Sequence, residues 1–215
     1  MEIVFATANK NKIKEIQALI PSAIKVLGLT DINCTEEIPE TQATIEGNAS
    51  QKAFYVYNKY QVNCFADDTG LEVEALEGRP GVLSARYAGE SKNADDNMNK
   101  ILEEMKGVTN RKARFKTVIS LVLDGKEVQF EGIINGTMLT EKQGTEGFGY
   151  DPIFAPDLSL NHSPIGNGLE ERSGEAGSDL KRKISFAEMD LSEKNKISHR
   201  ALAVNKLVEY LNRLD

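Results

Sequence analysis

Apolar residues recur along this chain in two rhythms. EIVFAT, Glu2–Thr7, is β-branched and aromatic almost throughout, the pattern of a buried strand. Directly after it, Ile13, Ile16, Leu19 and Ile20 fall at three- and four-residue steps, which predicts a helix over NKNKIKEIQALI that Pro21 stops. A second helix is predicted over Asn48–Tyr60, and VNCFADD reads as a second buried strand. A third helix over Asp95–Met105 places Met98, Ile101, Leu102 and Met105 on one face. From Arg114 to Leu139 the alternation is that of a β-hairpin or longer meander, with Asp124-Gly125 as its tight turn. Glu146–Tyr150 is a glycine-bearing loop, and Ser198–Leu214 is a last helix with Leu202, Leu207, Val208 and Leu211 apolar. Strands and helices mix without strict alternation, so the expected class is α/β with a mixed sheet, and no internal repeat is visible. One segment breaks the rhythm. Ser159–Lys183 is rich in Gly, Ser and charge and poor in apolar residues, and reads as a long mobile surface loop.

Composition changes this picture little. Hydrophobic residues make up 40% of the 215 and charged residues 27%, ordinary values for a soluble globular protein long enough to bury a sizeable core. The formal net charge of -7 argues against a general affinity for nucleic acid and confines any phosphate site to a local basic cluster. No apolar run is long enough to cross a membrane. Because Glu2–Thr7 already reads as a strand, no signal peptide is expected ahead of the fold. Cys34 and Cys64 are isolated from each other and from both histidines, so reduced thiols in a cytosolic protein are expected rather than a disulfide framework or a zinc site.

Charge placement raises chemistry. ATANKNK, Ala6–Lys12, sits at a strand-to-helix junction, where backbone N–H groups bind anions. Lys10 and Lys12 lie at the positive end of the macrodipole, where a cation needs an anion to compensate it. The glycines of a P-loop are absent. The last helix repeats the oddity: with Ser198 as N-cap, His199 and Arg200 fall in its first turn. Upstream, Asp190–Glu193 has the form of a capping box, followed by Lys194 and Lys196, the latter read as solvated. His199 and Arg200 together suit an anion or a carbonyl oxygen. In FADDTGLEV, Asp67 and Asp68 point to opposite faces of a strand. Two readings stand: both merely end the strand, or one faces a cleft while the other caps a turn begun by Thr69-Gly70. A cleft-facing carboxylate becomes useful beside phosphates when it binds Mg²⁺ or takes a proton from water. Glu40 and Lys52 add a further acid and base. In EGFGYDP, Phe148 beside glycine can stack on a nucleobase, with Asp151 as an acceptor at its edge.

Together and in order, several motifs are specific. TxNxxK (Thr7, Asn9, Lys12), Glu40-Thr41, ADDTGLEV (Ala66–Val73), GRPGVLSARYAG (Gly78–Gly89), GFGYDPIF (Gly147–Phe154) and FAEM…EKNKISHR (Phe186–Arg200) make the chain resemble the inosine triphosphate pyrophosphatase family, most of all its bacterial form. The likeness runs nearly end to end; only Ser159–Lys183 stands where the family has a short connection. The resemblance implies one pyrophosphatase domain over residues 1–215, with an elongated mixed sheet and helices forming two lobes around a central nucleotide cleft. It implies a cytoplasmic homodimer that uses Mg²⁺ to hydrolyse ITP, dITP and XTP to the monophosphate and pyrophosphate. By motif, Thr7, Ala8, Asn9, Lys10, Asn11 and Lys12 would hold the triphosphate, with Lys52 facing the phosphates. Asp68 would be general base and metal ligand, Glu40 a second acid at the metal, and Thr69 a substrate contact. Phe148 would stack on the base, Gly149, Tyr150 and Asp151 would shape its pocket, and Lys194, His199 and Arg200 would read the purine. Asp67 would support the turn. Two rivals remain open: a related enzyme for other nucleotides, and a nucleotide-binding regulator without turnover.

Overall fold

A computed structural model describes residues 1–158 and 182–214. The chain runs β1 (Glu2–Phe5), α1 (Lys10–Leu19), β2 (Lys25–Leu27), α2 (Ile45–Tyr60), β3 (Cys64–Val73), β4 (Pro80–Gly81), α3 (Ala94–Glu104), β5 (Lys112–Leu123), β6 (Lys126–Met138), β7 (Phe154–Pro156), α4 (Leu191–Ile197) and α5 (His199–Leu211). The strands form one seven-stranded sheet in the order β2-β1-β3-β5-β6-β7, with β4 paired to β3 off this path. β1 is parallel to both β2 and β3, and every other pair is antiparallel. This is the expected mixed α/β class.

The alternation of β1 and β3 sorts the core into two layers. Ile3, Phe5 and Phe65 face α1 and α5, packing with Ile16, Val204, Leu207 and Leu211. Val4, Ala6, Cys64 and Ala66 face α2, packing with Ala53 and Val56. Beyond the middle of β3 a third cluster gathers Leu71, Val73, Met98, Ile101, Phe115, Phe154 and Phe186 beneath α3 and β7. Cys34 and Cys64 are buried free thiols. Among the described residues no helix is long and apolar enough to cross a membrane.

Two expectations need correction, and one helix is added. Thr69-Gly70 does not begin a turn: β3 continues to Val73, and ten of its residues pair with β5 from Cys64↔Val122 to Val73↔Ala113. Long-range pairing outweighs a local turn preference here, so Asp67 does not support a turn. α2 begins at Ile45, three residues early, because the Thr44 hydroxyl caps it by accepting from Gly47 N at 3.0 Å. The capping box at Asp190 opens a separate helix, α4, and the Ser198 N-cap opens α5 immediately after it. The insert expected at 159–183 falls almost wholly outside the described residues.

Candidate active site

The period-two geometry of β3 turns two adjacent aspartates into members of different sites. Asp67 faces α1 and α5. Its Oδ1 accepts from Lys12 Nζ at 3.0 Å, and its Oδ2 meets Arg200 Nε at 3.5 Å. Asp68 faces α2. Its Oδ1 lies 3.5 Å from Lys52 Nζ, and its Oδ2 accepts from Asn48 Nδ2 at 3.3 Å. The Asp67 side chain is 0% exposed while that of Asp68 keeps 12%. Electrostatics separates them further. Burial by itself would raise both. At Asp67, Lys12, Arg200 and Lys52 overcome it and hold the carboxyl at about 2. At Asp68 burial prevails, helped by Glu40 and Asp67 against Lys52 and Lys12, and the pKa rises. Lys52 also binds Glu40 at 2.5 Å; despite burial, Asp68 and Glu40 raise its pKa and keep it an ammonium.

A cleft of about 500 Å³ opens along these groups. Ala6, Thr7, Ala8, Asn9, Asn11 and Lys12 line one end, with Glu40, Lys52, Asp68 and Thr69 beside them. Asn9 is the N-cap of α1, its Oδ1 accepting from Asn11 N and Lys12 N. No acidic residue occupies the first turn, so the positive end of the helix stays open to an anion. Lys10, expected here, is exposed and is not part of the cleft wall.

The other end is aromatic and cationic. Phe148, Gly149, Tyr150, Asp151, Lys194, His199 and Arg200 line it. Lys194 Nζ sits 4.8 Å from the Phe148 ring centroid and the Arg200 guanidinium 5.6 Å from it. Both cations are held from behind. Lys194 donates to Glu15 Oε1 and Asp151 Oδ2, each at 2.8 Å. Arg200 pairs through Nη1 with Glu15 and donates through Nη2 to Thr69 Oγ1 at 3.3 Å. Burial opposes ionisation of Glu15, yet Arg200 and Lys194 lower its pKa and keep it charged. His199 stacks on Phe115 with ring centroids 4.6 Å apart. Burial first, then Arg200, Lys194 and Lys12, drives its pKa well below the ordinary value, so the ring is neutral. Among the described residues its buried Nδ1 has no hydrogen-bond partner.

Two glycines make this end possible. A Cβ at Gly132 of β6 would lie 2.0 Å from the His199 carbonyl oxygen, so only glycine lets the start of α5 rest directly on the sheet. Thr69, Thr117 and Gly132 form one row across β3, β5 and β6, which sets Arg200 above Thr69. Gly147, at φ +74°, has the Asp151 carboxylate where a Cβ would stand, and that carboxylate accepts from Phe148 N at 2.7 Å.

The match to known proteins covers the whole arrangement. A family model described as the Ham1 family matches residues 3–210. This chain belongs to the Ham1 family. A Ham1 relative in Flavobacterium johnsoniae, named dITP/XTP pyrophosphatase, is 53% identical over 98% of each chain. One of the same name in Christiangramia forsetii is 52% identical over 99% of this chain and 100% of its own. The solved Staphylococcus aureus Ham1 protein shares 33% identity with a TM-score of 0.82, covering 100% of each chain.

In this Ham1 chain the cleft gathers every site residue expected from sequence except Lys10. Sequence reading missed Glu15 and Asn48, and gave Asp67 the wrong task. Glu15 carries a signal: Lys12, Glu15, Ile16 and Leu19 follow the i, i+3, i+4, i+7 face of α1, so this acid lies in the inward stripe. Among the described residues no three His, Cys, Asp or Glu side chains converge as a metal cage. Asp68 and Glu40 do face a common point, since both reach the Lys52 ammonium.

Proposed function

We infer that this protein hydrolyses non-canonical purine nucleoside triphosphates, ITP, dITP and XTP, to the monophosphate and pyrophosphate. The observation that carries the reading is Asp68, a raised-pKa carboxylate open to a cleft that joins a cation-lined helix N-terminus to an aromatic, donor-rich pocket. The triphosphate lies along Thr7–Lys12 and Lys52, and the base stacks on Phe148. Asp68 accepts a proton from a water that attacks the α-phosphorus; pyrophosphate departs with the electrons of the broken P–O bond. A raised pKa makes the Asp68 carboxylate a better proton acceptor. Lys12 and Lys52 offset the charge of the phosphates. At the base end, Lys194 and Arg200 offer only N–H donors, which pair with a purine 6-oxo group and not with the 6-amino group of adenine; neutral His199 adds one N–H donor beside them.

Mg²⁺ takes one or two carboxylates and completes its shell with water and substrate phosphates, which is the number that Asp68 and Glu40 supply. Their common point already draws an ammonium, so the residues fit a cation. Bound there, the ion would neutralise and polarise the phosphates. The family resemblance extends the reading to one domain over residues 1–215 and to a cytosolic homodimer; light scattering that gives a monomer at micromolar concentration would remove the dimer.

The test is pyrophosphate release from ITP, XTP, GTP, ATP and dTTP with Mg²⁺, for wild type and Asp68→Asn. The reading expects fast turnover of ITP and XTP alone and its loss in the variant. Turnover of all five would keep the phosphate chemistry and discard the base filter. Binding of ITP without turnover in the wild type would favour the regulatory protein.

A further inference from the structure

The phosphate end of the cleft has a charge problem. A nucleoside triphosphate brings several negative charges, yet the cations expected to receive them are already compensated. Six lysines and arginines line the cleft: Lys12, Lys52, Arg86, Lys92, Lys194 and Arg200. Lys12 is paired with Asp67, Lys52 with Asp68 and Glu40, Lys92 with Glu37, Lys194 with Glu15 and Asp151, and Arg200 with Glu15 and Asp67. Of these six, Arg86 alone makes no ion pair among the described residues, and the Glu40 carboxyl feels its charge only from beyond contact distance. Its one side-chain hydrogen bond runs from Nη2 to the neutral carbonyl oxygen of Glu40 at 3.3 Å.

Arg86 is also firmly mounted. It ends a short 3₁₀ turn, Ser84–Arg86, inside the GRPGVLSARYAG motif. Ser84 Oγ accepts from Leu71 N at 2.9 Å and donates to Gly81 O at 2.6 Å. Tyr150 Oη donates to Ser84 O at 2.7 Å, and Asn97 Nδ2 donates to Ala85 O at 3.0 Å. β3, α3 and the Phe148 loop thus all fix the backbone that carries this guanidinium. It stands on a wall separate from α1 and α2, reaching the Glu40 segment rather than the Phe148 pocket.

We propose that Arg86 binds the β- and γ-phosphates of the substrate and stabilises the pyrophosphate as it leaves. Its fork of N–H donors suits paired phosphate oxygens, and a cation held in no direct ion pair is available where charge builds up during bond breaking. This rests on the pyrophosphatase reading above.

The experiment compares wild type, Arg86→Met and Arg86→Lys, with ITP, IDP and ATP as substrates. IDP lacks the γ-phosphate, so its cleavage gives IMP and orthophosphate and uses less of the Arg86 fork. For Arg86→Met, kcat/KM with ITP is expected to fall about 100-fold, with a smaller fall for IDP, so the ITP preference over IDP collapses. Arg86→Lys recovers part of the loss, and the ITP:ATP ratio stays at its wild-type value because the base pocket is untouched. An ITP:IDP ratio preserved in Arg86→Met, or a parallel fall in the ITP:ATP ratio, overturns the proposal. Calorimetric binding of inorganic pyrophosphate supplies a second arm, with affinity expected to fall at least about 10-fold in Arg86→Met. A wild type that releases no pyrophosphate from ITP defeats the parent reading; unchanged pyrophosphate affinity in Arg86→Met defeats this one by itself.

Discussion

Asp67 and Asp68 share a strand, a charge and nearly the same depth, and the protein uses them in opposite ways. Asp67 is enclosed by Lys12 and Arg200 and its pKa is held at about 2. Asp68 meets Lys52 only at 3.5 Å, and burial with neighbouring acids raises its pKa. A single step along β3 therefore separates an enclosed, ion-paired carboxylate from one that opens on the cleft. Position on the strand decides the face, and the partners on that face decide the chemistry.

The contrast is open to direct attack. Asp68→Asn is expected to lower kcat for ITP by about 10²–10⁴-fold while the folded state is no less stable than wild type; the pair of readouts is turnover and urea unfolding, and an active variant would take Asp68 out of the reaction. Asp67→Asn should show the reverse emphasis. It leaves Lys12 and Arg200 buried with less compensation and should cost about 3–5 kcal/mol of stability, seen in the same unfolding curves. A variant as stable as wild type would mean that the Asp67 pairs contribute nothing net. Gly132→Ala attacks the seat of Arg200 instead. Its new Cβ would meet the His199 carbonyl oxygen at 2.0 Å and Ala203 N at 2.6 Å, so α5 must lift, at about 3 kcal/mol and with a reduced ITP:ATP ratio. Unchanged melting temperature and unchanged ratio would show that α5 does not need that contact.

The smallest effect is in acid. Asp67 titrates near its ordinary 3.8 when unfolded and at about 2 when folded. The unfolded chain therefore takes up the proton first, and the stabilisation from Asp67 is complete above about pH 4 and lost as pH falls through 2. Its size is about 2 kcal/mol. Asp68 has the opposite sign: the folded chain protonates first, so acidification toward 3.8 relieves a cost. Urea unfolding across pH 7 to 2 should show Asp67→Asn lacking the acid loss and Asp68→Asn lacking the relief. Parallel curves for wild type and both variants would count against the assigned directions.

Much of this was legible before any coordinates. The helices α1, α2, α3 and α5 and the β5–β6 hairpin follow from periodicity and from Asp124-Gly125. The cleft residues were legible because cations at helix starts and adjacent acids at a strand are anomalies that local structure does not explain. Non-local terms hid the rest. Thr69-Gly70 reads as a turn until β5 pairs across it. β2 is three residues long and is stabilised by a parallel partner more than twenty residues away. Glu15 looks like an ordinary helix acid until Lys194 and Arg200, far along the chain, arrive to neutralise it.

The seating of α5 on Gly132 has a consequence for motion. The same helix that presents His199 and Arg200 to the cleft anchors Ala203, Val204, Leu207 and Leu211 in the core. Its first turn has no independent way to fray, because Ser198 caps it, β6 lies directly under it, and Arg200 is tied to α1 and β3. Amide protons there should exchange with solvent only on global opening, at the rate of the central strands. Transient loosening of the exposed loops would then leave the donors that line the cleft in place.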